Sequence, residues 1–317
     1  MNKPIYKLLD WIDINKLDLE FLSKNQNAIG FLKQNPDLIN WYYLSGNKNA
    51  DELLLSNKNK IKLNRCNIGS NENLKIINEM IIPNLNLISE NQLSLNKNIV
   101  KFLIDKYPEK INWAFLSLNT SDEAIEHLQK NQDKICWFNL SLNTNDKAIE
   151  ILINNQDKIQ WDLFSSNSNI KAVELLFQNP NKINWNYLSK NSNDKAVEFL
   201  LENKDKIDWN RFSLNTNDKA IELLLENKDK INWVLLLVEN YNPKVIDIIK
   251  DNLDKLGDLE WSLLSENPYI FKLDYDKMRE NFIELKEEII KEAMNPKRIS
   301  KYLEIENYDY LEEMYGY

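Results

Sequence analysis

The side chains best suited to chemistry are few in this sequence. His127 is the sole histidine, and it stands where sister segments carry Ile151 and Leu223. A metal site or a general base needs partners at fixed spacing, and none accompanies it, so we interpret His127 as a tolerated substitution. Cys66 occupies a place otherwise held by a core Leu or Phe, and Cys136 is a more accessible thiol without an evident base. These residues predict no catalytic or metal site.

Serine and asparagine occur in rows instead. The members are Ser117, Ser141, Ser165, Ser189 and Ser213, beside Asn119, Asn143, Asn167, Asn191 and Asn215. A nucleophilic serine is single and paired with a base, whereas identical rows predict hydrogen bonds that satisfy turn backbone. The five glycines stand alone and form no phosphate loop. The sequence therefore predicts a protein that is not an enzyme and that uses no cofactor.

The composition also bears on the class of protein. The 317 residues are 43% hydrophobic and 28% charged, with a net charge of -9 and a pI near 5.0, which argues against a general nucleic-acid binder. Two distant cysteines make no disulfide framework, and a reducing compartment is expected. No apolar run approaches the roughly 18 residues that a membrane span needs. We expect a soluble intracellular protein without membrane insertion.

The elements that carry these rows repeat every 24 residues. Tryptophan marks the frame at Trp113, Trp137, Trp161, Trp185, Trp209 and Trp233. The frame extends with more drift to Leu19, Trp41, Leu63 and Glu90 on one side and to Trp261 on the other, giving eleven units. We name each unit after the residue at this position.

Each unit contains two short segments. The second is helical by pattern, since Ala148, Ile149 and Leu152 share one face. The first is ambiguous, because Trp161 and Phe164 at a spacing of three fit a helix, while Ile159 and Trp161 at a spacing of two fit a strand. We favour an all-α solenoid of about eleven helix–turn–helix repeats. The alternative is a leucine-rich-repeat-like solenoid with short parallel strands.

Stacked units would share one apolar spine, for which we assign a tryptophan core. This core comprises Trp41, Trp113, Trp137, Trp161, Trp185, Trp209, Trp233 and Trp261. Eleven units at helix-packing distance predict a rod or arc on the order of 100 Å long. We expect residues 1–18 to form a helical N-terminal cap, 19–273 the solenoid, and 274–317 a helical cap with an acidic tail. Met278, Phe282, Leu285, Ile289 and Ile290 would form the apolar stripe of the C-terminal helix.

Candidate binding residues lie at positions that differ from unit to unit while the 24-residue repeat is kept. Two places after the Trp position stand Tyr43, Arg65, Phe115, Asn139, Leu163, Tyr187, Arg211 and Leu235. If this row faces outward, Tyr43, Arg65, Phe115, Tyr187, Arg211 and Leu235 would contact a protein partner; if inward, they adjust packing between units. A lysine ladder from Lys110 to Lys230 has acids immediately before five of its six members, which indicates a self-neutralising face rather than a phosphate track. The irregular Trp233 unit, with its "VLLLVEN" letters, indicates either a bend or an apolar docking site.

The repeat letters "KINWxxLSxN" and "DKAIELL", with the C-terminal "ENPYIFKLDYDKMRENF" and "AMNPKRISKYLE", resemble a repeat family of giant DNA viruses of protists (mimivirus-like). The resemblance covers nearly the whole chain and implies host cytoplasm or the virus particle as the setting. Asn295 stands where the family pattern often has His, so no imidazole role carries over. We expect a non-catalytic scaffold for protein–protein interaction, and the alternative is a minor structural protein of the virion.

Overall fold

The computed structural model describes residues 4–238 and 240–294. The "AMNPKRISKYLE" segment from Asn295 onward and the acidic tail lie outside the described residues. The chain divides into two compact units, which are residues 8–271 and residues 1–7 together with those from Lys272. The larger of these contains the repeats.

Every repeat is helical, so the all-α solenoid is the correct fold class and the parallel-strand alternative is wrong. The first helices are Trp41–Leu44, Glu90–Leu95, Trp113–Leu116, Trp137–Leu140, Trp161–Phe164, Trp185–Ser189, Trp209–Phe212, Trp233–Val238 and Asp258–Glu266, with 3-10 turns at Phe21–Lys24 and Leu63–Arg65. The second helices are Ile29–Gln34, Asp51–Ser56, Leu74–Ile76 (continued to Leu87 by π and 3-10 turns), Val100–Lys106, Asp122–Lys130, Asp146–Ile153, Ile170–Gln178, Asp194–Glu202, Asp218–Glu226 and Lys244–Lys250. Short 3-10 turns, such as Lys204–Lys206, join one unit to the next.

Asparagine caps make such short helices possible. In the Trp185 unit, the Asn184 side chain accepts hydrogen bonds from the first-helix amides of Asn186 and Tyr187. Asn193 caps the second helix in the same way, and the Asn203 amide group donates to the Phe199 carbonyl at its far end, at 2.8 Å. Helices of one to three turns are marginal alone, so these caps and the packing of neighbours sustain them.

The core is aliphatic more than aromatic. Leu188 in the first helix and Ala196, Val197 and Leu200 in the second are fully buried, and their equivalents repeat this in neighbouring units. The assigned tryptophans are instead half-buried, except Trp261 at 5% exposure. Large indoles are seldom fully buried, and Trp185, for example, stacks on Phe199 of its own second helix. The expectation of a tryptophan-filled spine is revised accordingly.

The serine and asparagine rows satisfy buried backbone groups, as predicted, and the structure shows that many of these bonds join one unit to the next. The Ser189 hydroxyl donates to the Trp185 carbonyl at 2.8 Å and accepts from the Asp208 amide at 3.0 Å. Asn215 is buried in the following unit, and its amide group donates to the carbonyls of Ser189 and Asn191 at 3.0 and 2.9 Å. Each rung therefore pairs backbone groups that would otherwise be buried without partners.

The same rungs join the last unit to the first. The Ser265 hydroxyl accepts from the Asp18 amide at 2.8 Å. The Asn25 amide group donates to the carbonyls of Ser265 and Asn267 at 3.1 and 2.8 Å. These bonds copy the internal register, so the eleven units form a closed circuit. The expected open rod or arc is wrong, because curvature that accumulates over eleven units brings the first and last units together.

One rung of this circuit is incomplete. Among the described residues, the Asn267 side-chain nitrogen is the buried side-chain polar atom without a hydrogen-bond partner. It lies where the spacing lengthens to 28 residues between Trp233 and Trp261. The irregularity that the sequence shows here therefore interrupts the asparagine ladder.

The smaller unit contains a strand pair and one helix. Tyr6–Leu8 pairs with Phe271–Leu273, and the bond from the Asp274 amide to the Ile5 carbonyl makes the pairing antiparallel. The predicted N-terminal helix is therefore wrong, since edge pairing satisfies this short backbone segment better than an isolated helix would. The predicted C-terminal helix is confirmed as Tyr275–Ala293. None of the described helices has the length and apolarity to cross a membrane.

Candidate functional site

Each tryptophan lies between its own second helix and the next unit. Trp185 stacks on Phe199 at 5.4 Å between ring centroids, and the Lys206 ammonium lies 4.5 Å from the indole centroid on the next 3-10 turn. Lys230 covers Trp209 in the same way at 4.2 Å. The cation–π contact and the aliphatic lysine stem thus cover the indole.

His127 occupies the Phe199 position of its own unit. Its ring stacks on Trp113 at 5.2 Å. Burial and the nearby Lys130 charge lower the pKa of His127 below 6.5, which favours the neutral ring. The structure thus gives His127 a packing role, in agreement with the sequence interpretation.

The candidate binding row, two places after the Trp position, lies half-exposed along the seam between units. Its described members Tyr43, Phe115, Leu163, Tyr187, Arg211 and Leu235 are partly accessible, and Arg65 is exposed. Neighbours within the row touch one another. The Arg211 guanidinium lies 4.5 Å from the Tyr187 ring centroid, and the Phe21 and Tyr43 rings are 5.3 Å apart. The row therefore faces neither fully inward nor fully outward, and its contact with a partner stays a prediction.

One section of this row opens into a depression of about 520 Å³. We call it the Trp161 cleft and define it by Phe138, Trp161, Leu163, Lys182 and Tyr187, which come from three consecutive units. Phe138 is 56% exposed, so its phenyl ring is accessible to a partner from the cleft. The Asp162 carboxylate also lines the cleft and accepts from the Asn184 amide group at 2.8 Å.

Lys182 differs from the equivalent lysines of other units in its contacts. The equivalent lysines Lys206 and Lys230 lie over the indoles of the preceding units, and Lys158 pairs with Asp157 at 3.2 Å. Asn181 stands before Lys182, where the other lysines of the ladder follow an aspartate or glutamate. Among the described residues, the Lys182 ammonium has no ion pair or ring contact. The cleft thus combines three aromatic rings with an unpaired cation.

Sequence reasoning identified Leu163 and Tyr187 in this cleft but missed Phe138 and Lys182. A signal for both was present. Phe138 stands one place after the Trp position, where Asp162, Asn186 and Asn210 are polar, and Asn181 interrupts the acid–lysine alternation. The rest of the candidate row, including Tyr43 and Arg65, lies in other units and does not converge on the cleft.

The two cysteines and the possible metal ligands form no site among the described residues. Cys66 is buried and Cys136 half-buried, and both are free thiols. Within the part of the chain that the structure describes, no three His, Cys, Asp or Glu side chains cluster as a metal site.

The second helices carry a separate ladder of exposed ion pairs between units. Lys147 contacts Glu126 at 2.6 Å and Asp122 at 3.0 Å, and Lys171 contacts Glu150 at 2.9 Å. Hydrogen bonds that the Lys147 ammonium donates to Glu126 and Asp122 raise its pKa to about 12. This face neutralises its own charge, which leaves the first-helix face as the better candidate for binding.

Fold and site together define a closed α-solenoid repeat protein with an aromatic cleft on the seam of its first helices. Comparison with known protein families, with curated proteins and with solved structures finds no match.

Proposed function

We propose that the chain is a non-catalytic binding module that captures a segment of a partner protein on the half-exposed row, anchored in the Trp161 cleft. The observation that supports this most is the exposed Phe138, which lines the same cleft as Trp161 and Tyr187. Aromatic side chains in a concave site are common anchors of protein interfaces. Fixed asparagine and serine rungs on both sides supply the rigid support that such an anchor needs.

The cleft chemistry indicates the kind of segment. The rings of Phe138, Trp161 and Tyr187 offer contacts to an apolar side chain. The Lys182 ammonium can donate to a carboxylate beside that side chain. A protein segment fits better than nucleic acid, since Lys134 and Lys158 on neighbouring units pair with their own aspartates. We therefore propose an acidic, apolar peptide segment as the partner.

A displayed random-peptide library selected on the purified protein tests this proposal. We expect enrichment of segments with an aromatic or aliphatic residue next to Asp or Glu. Phe138→Ser and Tyr187→Ser should each weaken binding of an enriched peptide by about 30-fold, the range of an interface hot spot. Lys182→Glu should weaken acidic peptides selectively.

Tyr269→Ser is the matched control, because Tyr269 is also a partly exposed aromatic ring, at 40%, but lies in the Trp261 unit. Its binding should equal that of the unchanged protein. Peptides that bind Phe138→Ser and Tyr187→Ser as tightly as the unchanged protein would reject the cleft as the site.

The setting of this binding is a further part of the proposal. The resemblance to repeats of giant DNA viruses supports the cytoplasm of an infected host, with the virus particle as the alternative. Mass spectrometry of purified particles separates the two, since a packaged scaffold is present in them and a cytoplasmic one is absent.

A further inference from the structure

A second cation without an ion pair lies at the seam next to the Trp161 cleft. Arg211 belongs to the Trp209 unit, and its guanidinium lies 4.5 Å from the ring centroid of Tyr187, which also lines the cleft. The Lys190 ammonium adds positive charge at 6.0 Å from the same ring. Within the described part of the chain, neither Arg211 nor Lys190 forms an ion pair. The Tyr187 ring therefore lies between Lys182 on the cleft side and Arg211 on the following seam.

Two acids on this face have other hydrogen-bond partners. The Asp162 carboxylate accepts from the Asn184 side chain at 2.8 Å, and the Asp208 carboxylate accepts from the Arg211 backbone amide at 3.0 Å. A bound segment with one carboxylate at Lys182 would still leave the Arg211 charge without a counter-charge. A second acid on the segment would supply that counter-charge.

The spacing of the units determines where on the segment this second acid lies. Lys182 lines the cleft at the seam between the Trp161 and Trp185 units, and Arg211 lies at the seam between the Trp185 and Trp209 units. Successive seams are one helix-packing distance apart, about 8–10 Å. An extended segment advances about 3.3 Å per residue, so three residues cover one unit. A helical segment advances about 1.5 Å per residue and would need six or seven.

We propose that the partner segment lies extended across the two seams and carries two acids three residues apart, the first at Lys182 and the second at Arg211. This inference rests on the proposed function, because the apolar residue beside the first acid occupies the Trp161 cleft. Arg211 suits the second place, since a guanidinium can donate two hydrogen bonds to one carboxylate while its planar face stays on an aromatic ring.

Fluorescence anisotropy with labelled peptides of serine and glycine tests the spacing. Each peptide carries one Phe–Asp pair, and a second Asp lies three, five or seven residues from the first, on either side. We expect the spacing of three, in one of the two directions, to bind about fivefold more tightly at low salt than the single-acid peptide, the upper range of a partly exposed ion pair. Spacings of five and seven should gain less, and Lys in place of the second Asp should weaken binding.

Variants of the protein assign this gain to Arg211. The ratio between the affinities of the two-acid and single-acid peptides should fall to about one in Arg211→Gln, whereas Arg211→Lys should keep part of it, since lysine retains the charge without the planar fork. Arg65→Gln is the matched control, because Arg65 occupies the same place in the Leu63 unit, away from the cleft. The gain should persist there.

The outcomes separate this inference from the proposed function. A gain that is absent at every spacing, that is largest at seven, or that survives Arg211→Gln overturns the extended two-acid segment and leaves binding in the cleft standing. A single-acid peptide that does not bind, or that binds Phe138→Ser as tightly as the unchanged protein, refutes the cleft itself and this inference with it.

Discussion

Asn25→Ala tests whether the first and last units join as internal neighbours do. Asn25 is fully buried. Its amide group donates to the carbonyls of Ser265 and Asn267, and its side-chain oxygen accepts from the Asn27 amide at 2.9 Å. Alanine removes all three bonds and leaves the buried Ser265 carbonyl and the half-buried Asn27 amide without these partners, while the Asn267 carbonyl keeps its bond from the Ile270 amide at 3.3 Å. At about 1 kcal/mol per lost bond, we expect the free energy of unfolding to fall by about 3 kcal/mol.

An internal rung provides the comparison. Asn191 makes the equivalent bonds to Ser165 and Asn167 at 3.0 and 2.8 Å, so Asn191→Ala should cost the same. Asn186 is exposed, and Asn186→Ala should change stability by less than about 0.5 kcal/mol. Urea denaturation followed by tryptophan fluorescence measures all three.

A closed circuit and an open array predict different stability losses for Asn25→Ala. In an open solenoid Asn25 would lie in a terminal unit with no preceding carbonyls to bind, so its replacement would resemble Asn186→Ala. A loss of about 3 kcal/mol for Asn191→Ala with no loss for Asn25→Ala would refute closure. Equal losses support it.

Three further predictions concern single contacts. Trp185→Ala should lower the free energy of unfolding by about 3 kcal/mol in urea, whereas Lys206→Ala, which removes only an exposed cation–π contact, should cost about 0.5–1 kcal/mol; similar costs would contradict the assigned packing. Because the pKa of His127 lies below 6.5 in the folded state, the unfolded chain binds more protons near that pH. Stability should therefore be lost as pH falls below 6.5, and His127→Phe should remove that part of the pH dependence in urea titrations. Lys147→Gln should leave the urea midpoint unchanged in high salt, because its ion pairs are exposed and screened, and a clear shift would show that they stabilise the fold.

The repeat and its local structure were predictable because both depend on residues that are close in the sequence. Spacing gave the frame, and Ala148, Ile149 and Leu152 predicted the second helix that the structure shows as Asp146–Ile153. The serine and asparagine rows were interpreted correctly from their repetition alone. The Trp161 cleft was predicted only in part, because Leu163 and Tyr187 belong to a row whose direction depends on how far each unit rotates relative to the next.

The sequence by itself determined the repeat frame, the helical second segment, the stacking of units and the role of the serine and asparagine rows in satisfying backbone, since all of these depend on residues within one or two units. Only the tertiary structure decided that Asn25 meets Ser265 and Asn267, that Tyr6–Leu8 is a strand, and that Phe138, Trp161 and Tyr187 share one cleft. The physical reason is that small rotations between neighbours add over eleven units. Their sum decides whether the ends meet, and no single unit encodes it.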